Sequence, residues 1–163
     1  MTRWILACAC LLTIPLVADI PAAAPCPQSK MSLVVQSLPA AYGVSPMWLS
    51  ASSPLTWTGS RDPFSVMWIR DRAAPGLAVV SGRDRASGAR AQFGRPASIL
   101  RSRTERYQLG WTGTRPPKVA TVDLERFVFE PTDLWFPEPG CFEIVAQVGL
   151  AKSVFFLEVR KAR

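Results

Sequence analysis

The stretch Leu134–Val159, reading LWFPEPGCFEIVAQVGLAKSVFFLEV, decides the fold that this sequence predicts. From Phe142 onward the side chains alternate with the period of two that is typical of a half-buried β-strand. The residues predicted to share its inward face are Phe142, Ile144, Ala146 and Val148. A second run places Phe155, Leu157 and Val159 on one face, and Gly149-Leu150-Ala151-Lys152 between the runs has the length of a hairpin loop. The stretch therefore predicts two adjacent antiparallel strands.

The residues before this hairpin predict a turn. Glu138-Pro139-Gly140-Cys141 places proline second and glycine third, as in a type II turn, in which the third residue has a positive φ. The apolar face of the hairpin needs a second layer to cover it, because two strands alone do not form a stable body.

The rest of the chain also favours short strands. Fifteen prolines, spread along the chain with glycine and serine, leave little room for long helices. The patterns predict the following strands, of which seven to nine are expected to form: Met31–Leu38, Met47–Ser50, Leu55–Thr58, Phe64–Ile69, Leu77–Gly82, Ala89–Phe93, Tyr107–Trp111, Lys118–Val122, Arg126–Phe129, Cys141–Val148 and Ser153–Arg160. This spacing suits an antiparallel β-sandwich.

The tryptophans in these strands have two interpretations. Trp68 shares a strand face with Phe64 and Val66, and it is the predicted central core residue. Trp111, between two glycines, is the better candidate for stacking on a sugar. Packing is the preferred interpretation for both, because aromatic residues favour strands and bury large areas.

The C-terminal hairpin carries a resemblance. The string FPEPGCFEI at Phe136–Ile144, then Val148-Gly149 and a final Phe-x-Leu-x-Val, resembles the closing hairpin of small secreted bacterial immunoglobulin-like domains of uncharacterised function. Their pattern is F-P-x-x-G-C-[WF]-E-[VI], and Phe142 stands where tryptophan is commoner. The resemblance implies an all-β fold, an immunoglobulin-like antiparallel β-sandwich outside the cytoplasm, and it implies no activity.

The N-terminus predicts export. After Met1-Thr2-Arg3, the run Trp4–Ala18 has fifteen mainly apolar residues, which suits a signal peptide and is shorter than the roughly 20 residues of a membrane span. Cleavage is expected after Ala18 or Ala24. The predicted organisation is a signal peptide at 1–24, a tethered N-terminal segment at 25–45 and a sandwich domain at 46–163, and the expected location is periplasmic, extracellular or otherwise in the envelope.

Cysteine usage follows from export. Of four cysteines, Cys8 and Cys10 lie in the signal peptide, so the processed chain keeps Cys26 and Cys141. In an oxidising compartment these two are expected to form a disulfide. Because Cys141 points away from the inward face, the bond would tether the N-terminal segment across the outside of the sheet. A lipid anchor at Cys26, which would be the chain's link to a membrane, and two free thiols remain the alternatives.

Positive charge is concentrated in one segment. The chain has a net charge of +7, and Arg83–Arg106 contains seven arginines against two acidic residues, a net charge of +5. Because guanidinium groups bind carboxylates and phosphates well, Arg83, Arg85 and Arg90 are candidate contacts for an anionic polymer or an envelope protein. A solvated surface is the alternative. Nucleic acid is not predicted, because the aromatic residues of a single-strand binder are not interleaved here.

Catalytic and metal-binding motifs are missing from the sequence. It contains no histidine, which removes Ser-His-Asp and Cys-His catalysis and the usual zinc sites. It has no phosphate-binding glycine loop, no dinucleotide fingerprint and no acidic calcium loop, so no cofactor and no metal site are predicted. The remaining candidates are the carboxylate pairs Asp123 with Glu125 and Glu130 with Asp133, and a serine–lysine dyad using Lys118 or Lys152, for which no motif exists.

The sequence therefore predicts a binding or structural module of the bacterial cell envelope and no enzyme. The alternative is a small carboxylate-dependent hydrolase acting on envelope polysaccharide. The sequence identifies no specific ligand and predicts no oligomeric state.

Overall fold

The architecture was determined from a computed structural model, which describes residues 25–32, 34–35, 41–51, 54–96, 102–110 and 125–162. The strands in these residues are, in chain order, β1 (Met31–Ser32), β2 (Ala41–Val44), β3 (Met47–Ser50), β4 (Leu55–Trp57), β5 (Phe64–Asp71), β6 (Ala78–Asp84), β7 (Gln92–Gly94), β8 (Arg106–Gln108), β9 (Phe127–Trp135), β10 (Gly140–Val148) and β11 (Ala151–Lys161). The chain is thus all-β. No helix in the described segments is long and apolar enough to span a bilayer.

The strands form two sheets. Sheet A has the spatial order β1-β2-β3-β5-β9-β7, and sheet B has the order β4-β11-β10-β6-β8. Neighbours are antiparallel except for β4 and β11, which run parallel. The longest ladder in sheet B joins β10 to β11 from Gly140↔Val159 to Val148↔Ala151. The hairpin predicted from Leu134–Val159 therefore lies at the centre of sheet B, although its loop is the two residues Gly149-Leu150 and not the four predicted.

The two sheets share one hydrophobic core. The predicted inward residues of β10 and β11 are all buried in it, which confirms the face assignment. Trp68 of sheet A is fully buried, and its ring meets Phe155 of sheet B edge-on with 5.7 Å between the centroids. Phe136 contacts Phe142, with 4.6 Å between the ring centroids. These aromatic contacts between the layers add attraction beyond area burial alone.

A second apolar cluster lies on the other face of sheet A. Trp48, Ile69, Phe127 and Phe129 are buried there, and the Trp48 and Phe127 rings meet edge-on with 5.6 Å between the centroids. β3, β5 and β9 are therefore apolar on both faces. This is why the local sequence of these strands alternates less clearly than that of β10 and β11.

The structure corrects the predicted turn at Glu138–Cys141. Gly140 is not among the described glycines with a positive φ, and it begins β10 opposite Val159. A type II turn with Gly140 in third place is therefore wrong. The glycine is required for space, because a Cβ at this position would clash with the Asp84 Oδ2 atom. Residues 136–139 carry the chain from sheet A to sheet B.

Strand number and one strand boundary also differ from prediction. The described residues contain eleven strands where seven to nine were expected, partly because β2 was not foreseen. β9 was expected to end at Phe129, yet it continues through Pro131 to Trp135. β7 pairs only with residues 133–135 of β9, so among the described strands Pro131 has a partner on one side only, where a residue without an N–H is tolerated. The predicted signal peptide and the strand at 118–122 lie outside the described residues.

Thr132 gives a stability prediction. Its side chain is fully buried on the core side of β9, and its hydroxyl has no hydrogen-bond partner in the described structure. Because an unpartnered buried hydroxyl is destabilising, Thr132→Val should raise the free energy of unfolding by about 1 kcal/mol. Denaturant unfolding of the two proteins measures this. A clear loss of stability in the variant would mean that the hydroxyl has a partner.

Candidate anion-binding face

The candidate site lies on the outer face of sheet B. Phe142 and Ile144 point into the core, so Glu143 and Val145 of β10 point outward. The register places Glu143 opposite Arg83 of β6, and Val145 opposite Ser81. Ser81 in turn lies opposite Arg106 of β8. Strand pairing thus collects residues that are distant in sequence into one polar surface.

A groove of about 840 Å³ runs across this surface. Its charged lining contains five cationic and two acidic side chains: Arg83, Arg90, Arg103, Arg106, Lys152, Glu105 and Glu143. We call it the basic groove. An excess of positive charge in a concave surface raises the local concentration of anions.

Two of the five cations already have partners. Arg90 forms an exposed ion pair with Glu105, with 2.7 Å between Nη1 and Oε2. Arg103 donates to the carbonyl oxygens of Ser60 and Arg61, and its guanidinium lies 4.6 Å from the centroid of the Trp135 ring. Arg103 therefore holds the loop that precedes β5 and is less available to bind an anion.

The other three cations are available. Within the part of the chain that the structure describes, no hydrogen bond or ion pair holds the side chains of Arg83, Arg106 and Lys152. Arg83 and Arg106 are exposed on neighbouring strands, and Lys152 projects from β11 beyond Gln147 of β10. These three side chains can therefore bind an anion without first breaking a contact with another described residue.

Arg85 occupies an adjoining position on the same face. Its backbone N–H donates to the Cys141 carbonyl at 2.9 Å, and its guanidinium lies 5.5 Å from the centroid of the Phe156 ring. It lines a smaller recess of about 430 Å³, to which Arg83 and Glu143 also contribute. The structure therefore brings the predicted set of Arg83, Arg85 and Arg90 to one face, with Arg83 common to both recesses.

The sequence did not single out Arg106 and Lys152 as anion contacts. Arg106 lies in the basic segment, but only the β6–β8 register shows that it faces the same way as Arg83. Lys152 was assigned to a loop. It belongs to β11, where successive side chains point to opposite faces. Because its neighbour Ser153 is buried, Lys152 lies on the outer face.

A buried carboxylate holds the end of this face together. Asp84 is 4% exposed, and Oδ1 accepts the backbone N–H groups of Ala86 and Ser87 while Oδ2 accepts the N–H of Cys141. Burial acts to raise the pKa of Asp84, but these hydrogen bonds, with one from the Ser87 hydroxyl, outweigh it and hold the pKa below its ordinary value. Asp84 is a structural carboxylate that joins the β6–β7 turn to the start of β10.

The predicted disulfide is present beside this carboxylate. Cys26 is bonded to Cys141, with 5.4 Å between the Cα atoms. The segment then continues to the side of β11 that faces away from β10, where the Phe156 N–H donates to the Ser29 hydroxyl and that hydroxyl donates to the Phe156 carbonyl. It enters sheet A as β1. The N-terminal segment thus passes from the outside of sheet B, around its edge, to the other sheet.

The carboxylate candidates do not form a common site. Glu130 lies opposite Trp68 on the core side of β9, whereas Asp133 lies on the other side and accepts the Ser65 hydroxyl hydrogen at 2.7 Å. The proposed pairing of Glu130 with Asp133 is therefore wrong. Asp123, Lys118 and Trp111 lie outside the described residues. The described residues contain no group of three or more acidic or thiol side chains placed to hold a metal ion.

Comparisons with known proteins give no family. No protein-family model matches this chain, and no curated protein matches it. Among solved structures, a presumed lipoprotein from Bacillus anthracis aligns over 83% of this chain and 88% of its own, at 11% sequence identity and a TM-score of 0.40. This similarity is too distant to assign a function.

Proposed function

We propose that the protein is an exported binding module of the bacterial cell envelope, with an immunoglobulin-like body, and that the basic groove binds an anionic polymer. One observation carries the proposal: Arg83, Arg106 and Lys152 share the outer face of sheet B and have no partner among the described residues. The Cys26–Cys141 disulfide supports export, because such bonds persist in oxidising compartments.

The spacing of the cations favours a polymer over a single small ion. Arg106 on β8 and Lys152 on β11 are separated by three strand-to-strand steps, with Arg83 on β6 between them. At roughly 4.8 Å per step the groove spans about 14 Å across the strands. A single phosphate or carboxylate cannot reach all three, whereas a chain of repeated anionic groups can.

The proposal predicts a specific loss of binding. The double variant Arg83→Ser/Arg106→Ser should bind polyphosphate or polygalacturonate at least about tenfold more weakly than wild type, because two charge-assisted contacts are removed. Titration calorimetry at about 0.1 M salt, a condition in which charge attraction is not fully screened, measures the affinities. The two polymers separate phosphate from carboxylate preference, and uncharged dextran should not bind.

The matched control is Arg126→Ser/Lys161→Ser, which removes the same net charge away from the groove. It should bind both polymers nearly as well as wild type. Equal losses in the two double variants would show that overall charge and not the groove attracts the polymer, and no binding by wild type would refute the proposal.

Removing the charge of Glu143 is predicted to strengthen polymer binding. It lies in both recesses and faces Arg83 across the strands, so its carboxylate repels a bound anion. Glu143→Gln keeps the shape and removes the charge. It should strengthen polymer binding by about threefold or more, given the modest energy of a half-exposed charge pair. Weaker binding in this variant would mean that Glu143 contacts the ligand as an acceptor, or that the ligand is cationic.

A further inference from the structure

Three turns meet at the end of the fold opposite to the disulfide. They are the β2–β3 turn after Val44, the residues before β6 that end in Leu77, and the β10–β11 turn at Gly149-Leu150. Ala78 lies opposite Val148, so Leu77 and the Gly149-Leu150 turn leave sheet B at the same end. We call Val44, Leu77 and Leu150 the apolar tip.

Hydrogen bonds and one close approach of two backbone segments hold the three turns together. A Cβ on Gly76 would lie 3.2 Å from the Gly149 nitrogen, so these two turns touch. The Ser153 hydroxyl donates to the Val44 carbonyl at 3.5 Å, which joins the first turn to the start of β11. The Asp71 N–H donates to the Pro46 carbonyl at 3.0 Å, and the Arg70 side chain donates to the Gly76 carbonyl at 2.7 Å. The apolar tip is therefore one built surface.

The tip contains most of the exposed large hydrophobic residues of the described chain. Leu150 is 104% exposed, Leu77 is 63% exposed and Val44 is 51% exposed. Five large hydrophobic residues are exposed among the described ones, and these three are at one end. Neither turn conformation nor core packing requires a leucine at the outermost position of a two-residue hairpin turn.

The chemistry around the tip indicates its occupant. Among the described residues at this end, the cationic Arg70, Arg72 and Arg126 outnumber the acidic Asp71 and Glu125, and they form what we call the positive collar. Arg70 and Arg72 also donate to backbone carbonyl oxygens, which holds them at this end. The side chain of Leu150 is fully exposed, so it projects from its turn into solvent. A projecting apolar side chain suits a deformable apolar medium better than a rigid partner. Apolar side chains in front of cationic ones match the acyl boundary and the anionic headgroups of a bilayer.

We infer that the apolar tip inserts into the surface of an anionic lipid bilayer. This contact is independent of the basic groove, which faces sideways from sheet B. Insertion of Leu77 and Leu150 anchors the molecule by its end and leaves the groove open to a polymer that lies along the membrane.

The test is flotation of the exported, oxidised chain with vesicles. Wild type should float with vesicles that contain phosphatidylglycerol in phosphatidylcholine. Leu77→Ser/Leu150→Ser should lower the partition coefficient by at least about tenfold, since each leucine loses its apolar burial. The matched control Val154→Ser changes an exposed apolar residue within β11 and should bind as wild type does, and Arg83→Ser/Arg106→Ser should also float.

A second measurement reports insertion directly. In Leu150→Trp, the fluorescence of the added indole should be quenched by lipids brominated on the acyl chain and not by soluble iodide once vesicles are present. An unchanged partition coefficient in the leucine double variant, or added emission in Leu150→Trp that iodide still quenches, would overturn the inference. So would loss of flotation on removing the groove arginines alone, or concentration-dependent self-association through the leucines without vesicle binding. Failure of polymer binding would leave this inference intact, since the two sites are tested by different variants.

Discussion

Reduction of the Cys26–Cys141 disulfide is expected to lower the free energy of unfolding by about 4–5 kcal/mol. The bond closes a loop with a sequence separation of 115 residues, so it removes much of the conformational freedom of the unfolded chain. It also holds the segment that carries Ser29 to β11 and β1 to sheet A. For a domain of this size the loss corresponds to a decrease in Tm of about 12–20 °C.

The measurement is thermal unfolding of the processed chain with and without a thiol reductant, alongside Cys26→Ser/Cys141→Ser. The reduced wild type and the double variant should unfold at the same lowered temperature, and reductant should not change the variant. A Tm that reductant leaves unchanged in wild type would show that the thiols are not paired in the native protein.

Replacement of Asp84 should have a comparable effect. Asp84→Ala leaves the N–H groups of Ala86, Ser87 and Cys141 without their acceptor at a mostly buried position. At about 1–3 kcal/mol for each buried unmade bond, partly offset by water, we expect a loss of about 3–5 kcal/mol. Asp84→Asn keeps one acceptor oxygen and should lose less. Denaturant unfolding of wild type, Asp84→Asn and Asp84→Ala at neutral pH measures their free energies of unfolding, which should decrease in that order.

The pH dependence follows from the lowered pKa of Asp84. In the unfolded chain the carboxyl titrates near its ordinary value of about 3.9. In the folded chain burial opposes ionisation, but the hydrogen bonds outweigh it and lower the pKa. The stabilisation is therefore complete above about pH 4 and is lost as the pH falls through the folded-state pKa. The difference in stability between wild type and Asp84→Asn should be constant near neutral pH and should narrow below about pH 4. A difference that grows on acidification would contradict this account.

Gly140 and Asp84 also show where sequence reasoning reaches its limit. The Pro-Gly pattern predicted a turn glycine, because the residue preferences of a turn depend on only four consecutive residues. The actual constraint on Gly140 is the Asp84 carboxylate, which comes from another strand. Asp84 and Gly140 are far apart in the sequence, so their contact produces no pattern in the residues around Gly140.

The inward faces of β10 and β11 were predicted correctly because they depend on local sequence alone. Alternation between Phe142 and Val148 is a property of one strand and needs no knowledge of its neighbours. Trp68 was likewise placed in the core from its own strand. β2 was missed, because its four residues AYGV contain a glycine and precede Ser45-Pro46, and they become a strand only by pairing with β3.

The candidate site was predictable in part. The concentration of arginine in residues 83–106 indicated the charge, and the three residues chosen from it lie on one face. The available set of Arg83, Arg106 and Lys152 depends on two strand registers and on the true length of the hairpin loop. The candidate pair of Glu130 and Asp133 failed because β9 continues through both residues and places their side chains on opposite faces.

Chemical-shift mapping tests the central claim most directly. Polyphosphate is added to the isotope-labelled, oxidised chain, and backbone amide shifts are followed to saturation. The account predicts that the largest changes occur at Ser81 to Arg83, at Arg106 and at Lys152 on the outer face of sheet B. Changes centred on sheet A, or none at saturating polymer, would contradict it.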